Sequence, residues 1–442
     1  MAFNLFGKRK EAAPPPPAPD ESEVDDEEVA EALPEDDGGS EVLDAEWRER
    51  ALAVLPGGSS TGSKQPAALY GPSGVGPSHY VRASGCHLVT AGDQTLIDCT
   101  MALGSVAIGY GDEAVTRAVI AALAAGQVAG LAHVTEVEVA ERLCAVIPCA
   151  EQVRFLKTGG EAMSAAIRLA RVSTGRDRIV ACGYFGWQDW SSEGAGVPAA
   201  VSRLVTRVPF NDIAALEAAV SAAGRELAAV VIEPVIERYP DHAWLERARA
   251  LCDAAGAVLV FDEMKTGFRV ALGGYQSVAG VTPDLAVFGK AMANGFPVAA
   301  VVGRSAVMEA AGRTWITSTT AGETGALAAV HAVLDRYQSE EEGDPCAVLA
   351  RVGRRMRESV AAAISASGIE GVAVHGPDPM WFLRFEDPDV ETRFLQRAAH
   401  HGVLFKRGAY NYAALAHDDE ELLLDIERVA STAFVEVLED RA

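Results

Sequence analysis

Two hydrophobic periods alternate along this chain, and the places where one gives way to the other predict its elements. "DAEWRERALAVLPGG" carries apolar residues at helical spacing and stops at Pro56-Gly57-Gly58, which predicts a helix from about Asp44. "GCHLVTAGDQTLIDCT" (85–100) predicts a hairpin turning at Ala91-Gly92-Asp93. "DEAVTRAVIAALAAGQ" and "TEVEVAERLCAVIP" predict amphipathic helices. Beyond them, strand-like runs alternate with helical ones: "QVRFLKT", "RIVACGY", "AAVVIEPV", "AVLVFDEM", "LAVFG" and "VAAVVGR". Several are apolar on both faces, as parallel strands covered on each side must be. The βα alternation predicts an α/β fold with a doubly wound sheet, whose sites lie beyond the carboxyl ends of the strands. After about residue 330 a long helix and a mixed α+β tail predict a second, smaller domain, joined by residues 47–104. The expected division is a tail at 1–43, small-domain segments at 44–104 and 331–442, and a large domain at 105–330.

Length and composition narrow the class. A chain of 442 residues can bury a large core in more than one domain. No apolar run reaches about 18 residues without a charge or turn signal, so no membrane span is expected. "MAFNLFGKRK" lacks the apolar core and cleavage site of a secretory signal. The seven cysteines show no CxxC pair or metal spacing, which predicts reduced thiols in a cytoplasm and no bound metal. The net charge is -24, and residues 1–46 hold fifteen acids against Lys8, Arg9 and Lys10, half of that total. Such acidity suits neither nucleic acid nor an anionic membrane. Residues 11–42 are Pro-rich and then acidic, a composition that cannot offset its ordering entropy, so disorder is expected there. The tail reads either as a solubilising segment or as a docking arm for a protein partner, with "MAFNLF" as its apolar anchor.

Lys290 interrupts the apolar, Gly-rich run "VFGKAMANGFPVAAVVGR". One reading has it lying along apolar surface with its amine in water. The other has it desolvated and nucleophilic enough to form a Schiff base with a carbonyl. The other strand ends bear on that choice. Thr158-Gly159-Gly160 opens a helix after "RFLK", and its free backbone N–H groups suit an anion. Tyr184 and Phe185 follow "RIVACG", as an aromatic platform or as core. Asp262 ends a buried strand, which calls for a cationic partner. Lys290, 28 residues later, is expected at the end of the next strand but one. Met264 shares a strand face with Asp262. These are the parts that pyridoxal 5'-phosphate (PLP) needs: an anion cradle for its phosphate, an aromatic face for its ring, a carboxylate for its ring nitrogen and an amine for its aldehyde.

Six segments in order, over residues 47 to 430, resemble the class III PLP-dependent aminotransferases of fold type I, and most closely their glutamate-1-semialdehyde aminomutase branch. "KTGGEAMSAAIRLARVSTGRD", "CGYFGWQDW", "VVIEPV", "VFDEMKTGFRV", "FGKAMANGFPVAAVVGR" and "STTAGETGALAA" are similar to that family's site-bearing segments. The resemblance implies a mostly parallel seven-stranded sheet in the large domain. It implies Lys290 as the Schiff-base lysine, Asp262 at the ring nitrogen and Tyr184 stacked on the ring. It also implies Gly159 and Gly160 at the phosphate, and Glu233 and Phe185 beside the cofactor. Thr319 would be donated to the phosphate across a homodimer.

Several positions depart from the family pattern. Gly160 stands where Thr is usual, Lys157 replaces Asn and offers a compensating charge, and Phe185 replaces His. Met264 replaces Val, and Lys265 stands where Gln or Met is common. Lys265 is expected to point to solvent, the alternative being a second cation that alters the cofactor's protonation. Lys64 stands where the aminomutase branch has the arginine that grips the substrate carboxylate. That argues against glutamate 1-semialdehyde and leaves Lys64 or Arg407 as the carboxylate partner. The expected activity is a transaminase or aminomutase acting on a small-molecule amino donor and acceptor. The alternatives are a racemase or decarboxylase on the same fold, or a degraded PLP-binding scaffold docking through its tail.

Overall fold

A computed structural model describes residues 40–339 and 343–440 of the chain. It opens with helix α1 (Ser40–Val54), strands β1 (Tyr80–Ser84), β2 (His87–Thr90) and β3 (Thr95–Asp98), and helices α2 (Glu113–Ala125) and α3 (Val134–Val146). Residues 1–39, the bulk of the expected tail and docking arm, lie outside the described residues. Helix α1 starts four residues ahead of Asp44, which corrects the expected boundary. The helix is tied to the hairpin one turn in, where Asp44 accepts a hydrogen bond from Thr90 Oγ1 at 3.4 Å.

The βα alternation then runs through β4 (Gln152–Leu156), α4 (Gly159–Thr174), β5 (Arg178–Cys182), β6 (Val205–Arg207), α5 (Ile213–Ala223), β7 (Leu227–Ile232), α6 (His242–Ala255), β8 (Val258–Asp262), β9 (Leu285–Phe288) and β10 (Ala299–Gly303). These strands form one seven-stranded sheet in the order β4-β10-β9-β8-β7-β5-β6. Strand β10 is antiparallel to both β4 and β9, although it reads as a parallel strand. The reason is length: about ten residues separate β9 from β10, too few for a parallel crossover. Strands β7 to β10 are buried along their whole length, so helices cover both faces of the sheet.

After the sheet come α7 (Thr324–Tyr337), α8 (Pro345–Ser367), β11 (Val372–His375), β12 (Met380–Phe385), α9 (Pro388–His400), β13 (Val403–Leu404), β14 (Asn411–Tyr412) and α10 (Glu420–Glu439). Strand β13 joins β3 in parallel, with Val403 opposite Ile97, so early and late parts of the chain share a four-stranded sheet.

Two buried side chains fix the segment between them. Arg269 is fully buried and, among the described residues, forms no ion pair. Its Nη1 donates to the carbonyls of Pro379 and Ala413, and its Nη2 to those of Gly104 and Val106. The planar fork suits carbonyls arrayed on two sides. Asn294 accepts from the Ala107 and Ile108 N–H groups and donates to Gly109 O at 2.8 Å. Backbone groups of residues 104–109 are therefore held by these two side chains.

Arg269→Met removes four donations and leaves buried carbonyls unsatisfied, at about 1–3 kcal/mol for each that finds no water. We expect a loss of at least about 3 kcal/mol in urea unfolding, and only partial recovery in Arg269→Lys, whose single ammonium cannot span both pairs.

Candidate active site

Adjacent strands bring the titratable groups together at one edge of the sheet. In the ladder Ile232 lies opposite Phe261, and Asp262 opposite Val287. Glu233, Asp262 and the Gly289-Lys290 pair thus emerge side by side at the carboxyl ends of β7, β8 and β9. Strand β9 is bonded directly to β8, so Lys290 ends the next strand after Asp262, not the next but one. Lys290 itself has a left-handed φ of 51°. This conformation is costly for a lysine and is kept where surrounding structure dictates it.

The charges at this edge alternate in sign. Asp262 is buried, and its Oδ1 accepts from the Met264 N–H at 3.0 Å. Burial and then the neighbouring Glu233 raise its carboxyl from 3.8 to about 7, against the pull of Lys290 and Lys265. Burial and then the Lys265 ammonium push the Lys290 amine down from 10.5 to about 8. Glu233 is buried too. Its Oε1 pairs with Lys265 Nζ, and its Oε2 accepts from the Tyr184 N–H at 3.3 Å. Lys265 is 13% exposed, and its Nζ lies 4.3 Å from the centroid of the Tyr410 ring. It does not point to solvent, which corrects the expectation for it. A buried carboxylate within reach outweighs the freedom that an exposed lysine keeps.

Facing this edge is the first turn of α4. Thr158 caps it: its Oγ1 accepts from the Glu161 N–H, and Glu161 Oε2 accepts from the N–H groups of Lys157 and Thr158. The N–H groups of Gly159 and Gly160 remain as outward donors of that turn. The Met264 thioether packs where a Cβ on Gly159 or Gly289 would stand, 2.8 and 2.7 Å away. Met264 thus lies between the helix N-terminus and Lys290. The side-chain amide of Gln188 occupies the space beside Gly160, only 2.4 Å from the site of a Cβ there, and its buried Oε1 has no hydrogen-bond partner. The loop holding it is docked on α4, since Trp190 Nε1 donates to Ser164 Oγ at 3.0 Å.

Other expected site residues fall elsewhere. Tyr184 is 75% exposed. Phe185 is buried and stacks on Trp190 at 5.8 Å, within the apolar layer under α4. It is a core residue, because consecutive side chains at a strand end face opposite ways. Lys157 donates to Glu323 Oε1 at 2.7 Å and to Pro297 O at 3.1 Å, so its charge is taken up within the fold and does not replace a missing hydroxyl. Arg407 is held by Glu391 and Thr392 of α9, which leaves its guanidinium neutralised. Lys64 is exposed and, with Asp98, Tyr110 and Lys406, borders a cavity of about 120 Å³. Thr319 is exposed in a groove of about 500 Å³ between residues 126–133 and 317–324. Reading the sequence missed Gln188, whose signal was the glycine in place of threonine at 160. It also missed Arg269 and Asn294, which leave no local signal.

The sequence model of the family described as Aminotransferase class-III matches residues 70–416. The chain is 34% identical over 412 residues to a glutamate-1-semialdehyde 2,1-aminomutase of Opitutus terrae, which covers 85% of this chain and 95% of that protein. It is 30% identical over 396 residues to a 3-aminobutyryl-CoA aminotransferase of Cloacimonas acidaminovorans, covering 86% of this chain and 94% of that one. Among solved structures, the PLP internal aldimine form of the FumI protein of Sphingopyxis sp. MTA144 superposes with a TM-score of 0.84 at 28% identity, over 90% of this chain and 97% of that chain.

A lysine desolvated in this way costs stability. Below about pH 8 the Lys290 ammonium is charged in both the folded and unfolded chain, and the full penalty applies. Between about 8 and 10.5 the unfolded chain binds more protons, so wild-type stability gains with pH. Above that range the amine is neutral in both states. Lys290→Met should therefore raise the melting temperature of the cofactor-free chain at pH 7, and scanning calorimetry should show the gain shrinking as pH rises through this window.

Proposed function

The chain belongs to the class III aminotransferase family, PLP-dependent enzymes of fold type I, and we propose that it moves an amino group on a small amino/keto or aldehyde substrate, as a transaminase or aminomutase, with Lys290 as the lysine that bonds to the cofactor's aldehyde carbon. The observation that carries the assignment of Lys290 is its emergence beside Asp262, with an amine pushed down to about 8. Such an amine is neutral often enough near pH 7 to attack a carbonyl, and basic enough to take a proton back.

The residues present fit the cofactor. PLP when bound supplies the aldehyde that accepts the substrate amine and a cationic ring that draws electrons from the bond being broken. Asp262 is placed to hold a proton on the ring nitrogen, and a buried carboxylate is stabilised by such a partner. Thr158 and the Gly159 and Gly160 amides offer donors to the phosphate at a helix N-terminus. The Gln188 amide, packed where a threonine side chain would clash, takes the place of the missing hydroxyl. Met264 would support the ring, Tyr184 would stack on it and Glu233 would stand beside it. With substrate bound, the Lys290 amine would be the group that takes the proton from the substrate carbon and returns it. Lys64 is our proposed cation for a substrate carboxylate; Arg407 is withdrawn from that role. Thr319 reaches the phosphate from a second copy of the chain, so we propose a homodimer. In it residues 44–104 and 331–442 form the small domain against a PLP-binding domain at 105–330. Among the described residues no helix is long and apolar enough to cross a membrane.

Borohydride reduction of the holoenzyme, followed by peptide mass spectrometry, should place the cofactor adduct on Lys290; an adduct on Lys265 overturns the assignment. Lys290→Ala should abolish turnover. Asp262→Asn should slow turnover by about 100-fold or more, the scale of losing one preorganised charge contact; a near-normal rate refutes its role. Gln188→Ala should weaken PLP retention in equilibrium dialysis by roughly tenfold, as for one lost hydrogen bond to a charged group. Unchanged retention means that Gln188 only fills space.

A further inference from the structure

Lys265 is a second lysine at the same sheet edge, and the reaction as proposed above has no use for it. It follows Asp262 by three residues, and its ammonium is held at two points, by Glu233 Oε1 and by the face of the Tyr410 ring. Tyr410 is itself fixed, because its hydroxyl donates to Ile236 O at 2.6 Å. Glu233 in turn is fixed by the Tyr184 N–H and by the close approach of Gly183, where a Cβ would stand 2.5 Å from the Glu233 Cβ. A flexible side chain has been made into a stationary charge.

We propose that Lys265 is a positioning residue, a fixed cation that Glu233 and Tyr410 hold against the site so as to bias whether Lys290 or its surroundings carries the proton moved in the reaction. The charged and titratable groups facing it are Glu233 from β7, Asp262 from β8, Lys290 from β9, and Tyr410 and Tyr412 near β14. Arg269 adds a second distant cation. Lys265 disfavours a proton on Lys290 and favours the ionised form of Asp262, while Glu233 acts on both in the opposite sense. The pair is close to neutral as a whole, but its two ends address the two functional groups unequally. This role does not follow from a packing contact. A packing lysine is replaceable by methionine, whereas a fixed charge is replaceable only by another charge.

The inference rests on Lys290 being the covalent lysine, and the experiment separates the two. The holoenzyme's visible absorbance is titrated with pH, which reports the proton on the linkage between Lys290 and PLP. Lys265→Met should move the transition to higher pH by about one unit, the effect of one unit charge several ångströms away in a medium of intermediate polarity. Glu233→Gln should move it to lower pH. The double variant should return towards wild type, and Lys265→Arg should keep the wild-type profile. Superimposable titrations for wild type and Lys265→Met, or shifts of the same sign in both single variants, overturn the proposal. Should Lys265→Met fail to fold, Lys265→Gln, which keeps a polar contact to Glu233 without the charge, should show the same upward shift, and a wild-type profile in it overturns the proposal. Absence of a borohydride adduct on Lys290 in wild type overturns the underlying reading instead.

Discussion

Gathering four charges at one sheet edge is tolerable only because two of each sign are present. The buried Asp262 and Glu233 face the half-buried Lys290 and Lys265, and a buried ion left without an opposite charge costs several kcal/mol. The balance is local and unequal. Glu233 and Lys265 satisfy one another directly, whereas Asp262 and Lys290 are each left partly unsatisfied, as their displaced pKa values record. The unsatisfied pair is the one with capacity left to engage a ligand.

The segment 104–109 has carbonyls and amides bonded by the side chains of Arg269 and Asn294. Both side chains come from just beyond the strands that carry Asp262 and Lys290. Residues 262–294 thus carry Asp262 and Lys290 as well as the two side chains that fix this segment. Arg269 also bonds to Pro379 and Ala413, so late parts of the chain are tied to the same point.

Much of this was legible in the sequence, for identifiable reasons. Six of the seven strands of the large sheet are apolar enough to read, and Asp262 and Lys290 are conspicuous because charge is rare in such runs. Strand β6, "VTR", escaped notice because it is short, polar and at the sheet's edge. The direction of β10 was hidden because full burial gives parallel and antiparallel strands the same pattern. Lys265 was misread because its partner Glu233 lies 32 residues earlier, and only the register of β7 against β8 makes them neighbours. Phe185 was misread because two adjacent aromatics at a strand end look alike until the backbone sends one inward.

The reversed strand β10 has a consequence for synthesis on the ribosome. Strand β4, which leads into the helix cap at Thr158, pairs with β10 alone in this sheet. Its partner is made roughly 140 residues later, which at about 5–20 residues per second is a delay on the order of 10 s or more. Through that interval a nascent strand has an unpaired edge open to association with other chains. The β9–β10 ribbon that carries Lys290 is by contrast local and closes as soon as it emerges. Lys290 and the Thr158 cap are therefore brought together only once β10 has emerged, a late event in the maturation of the chain.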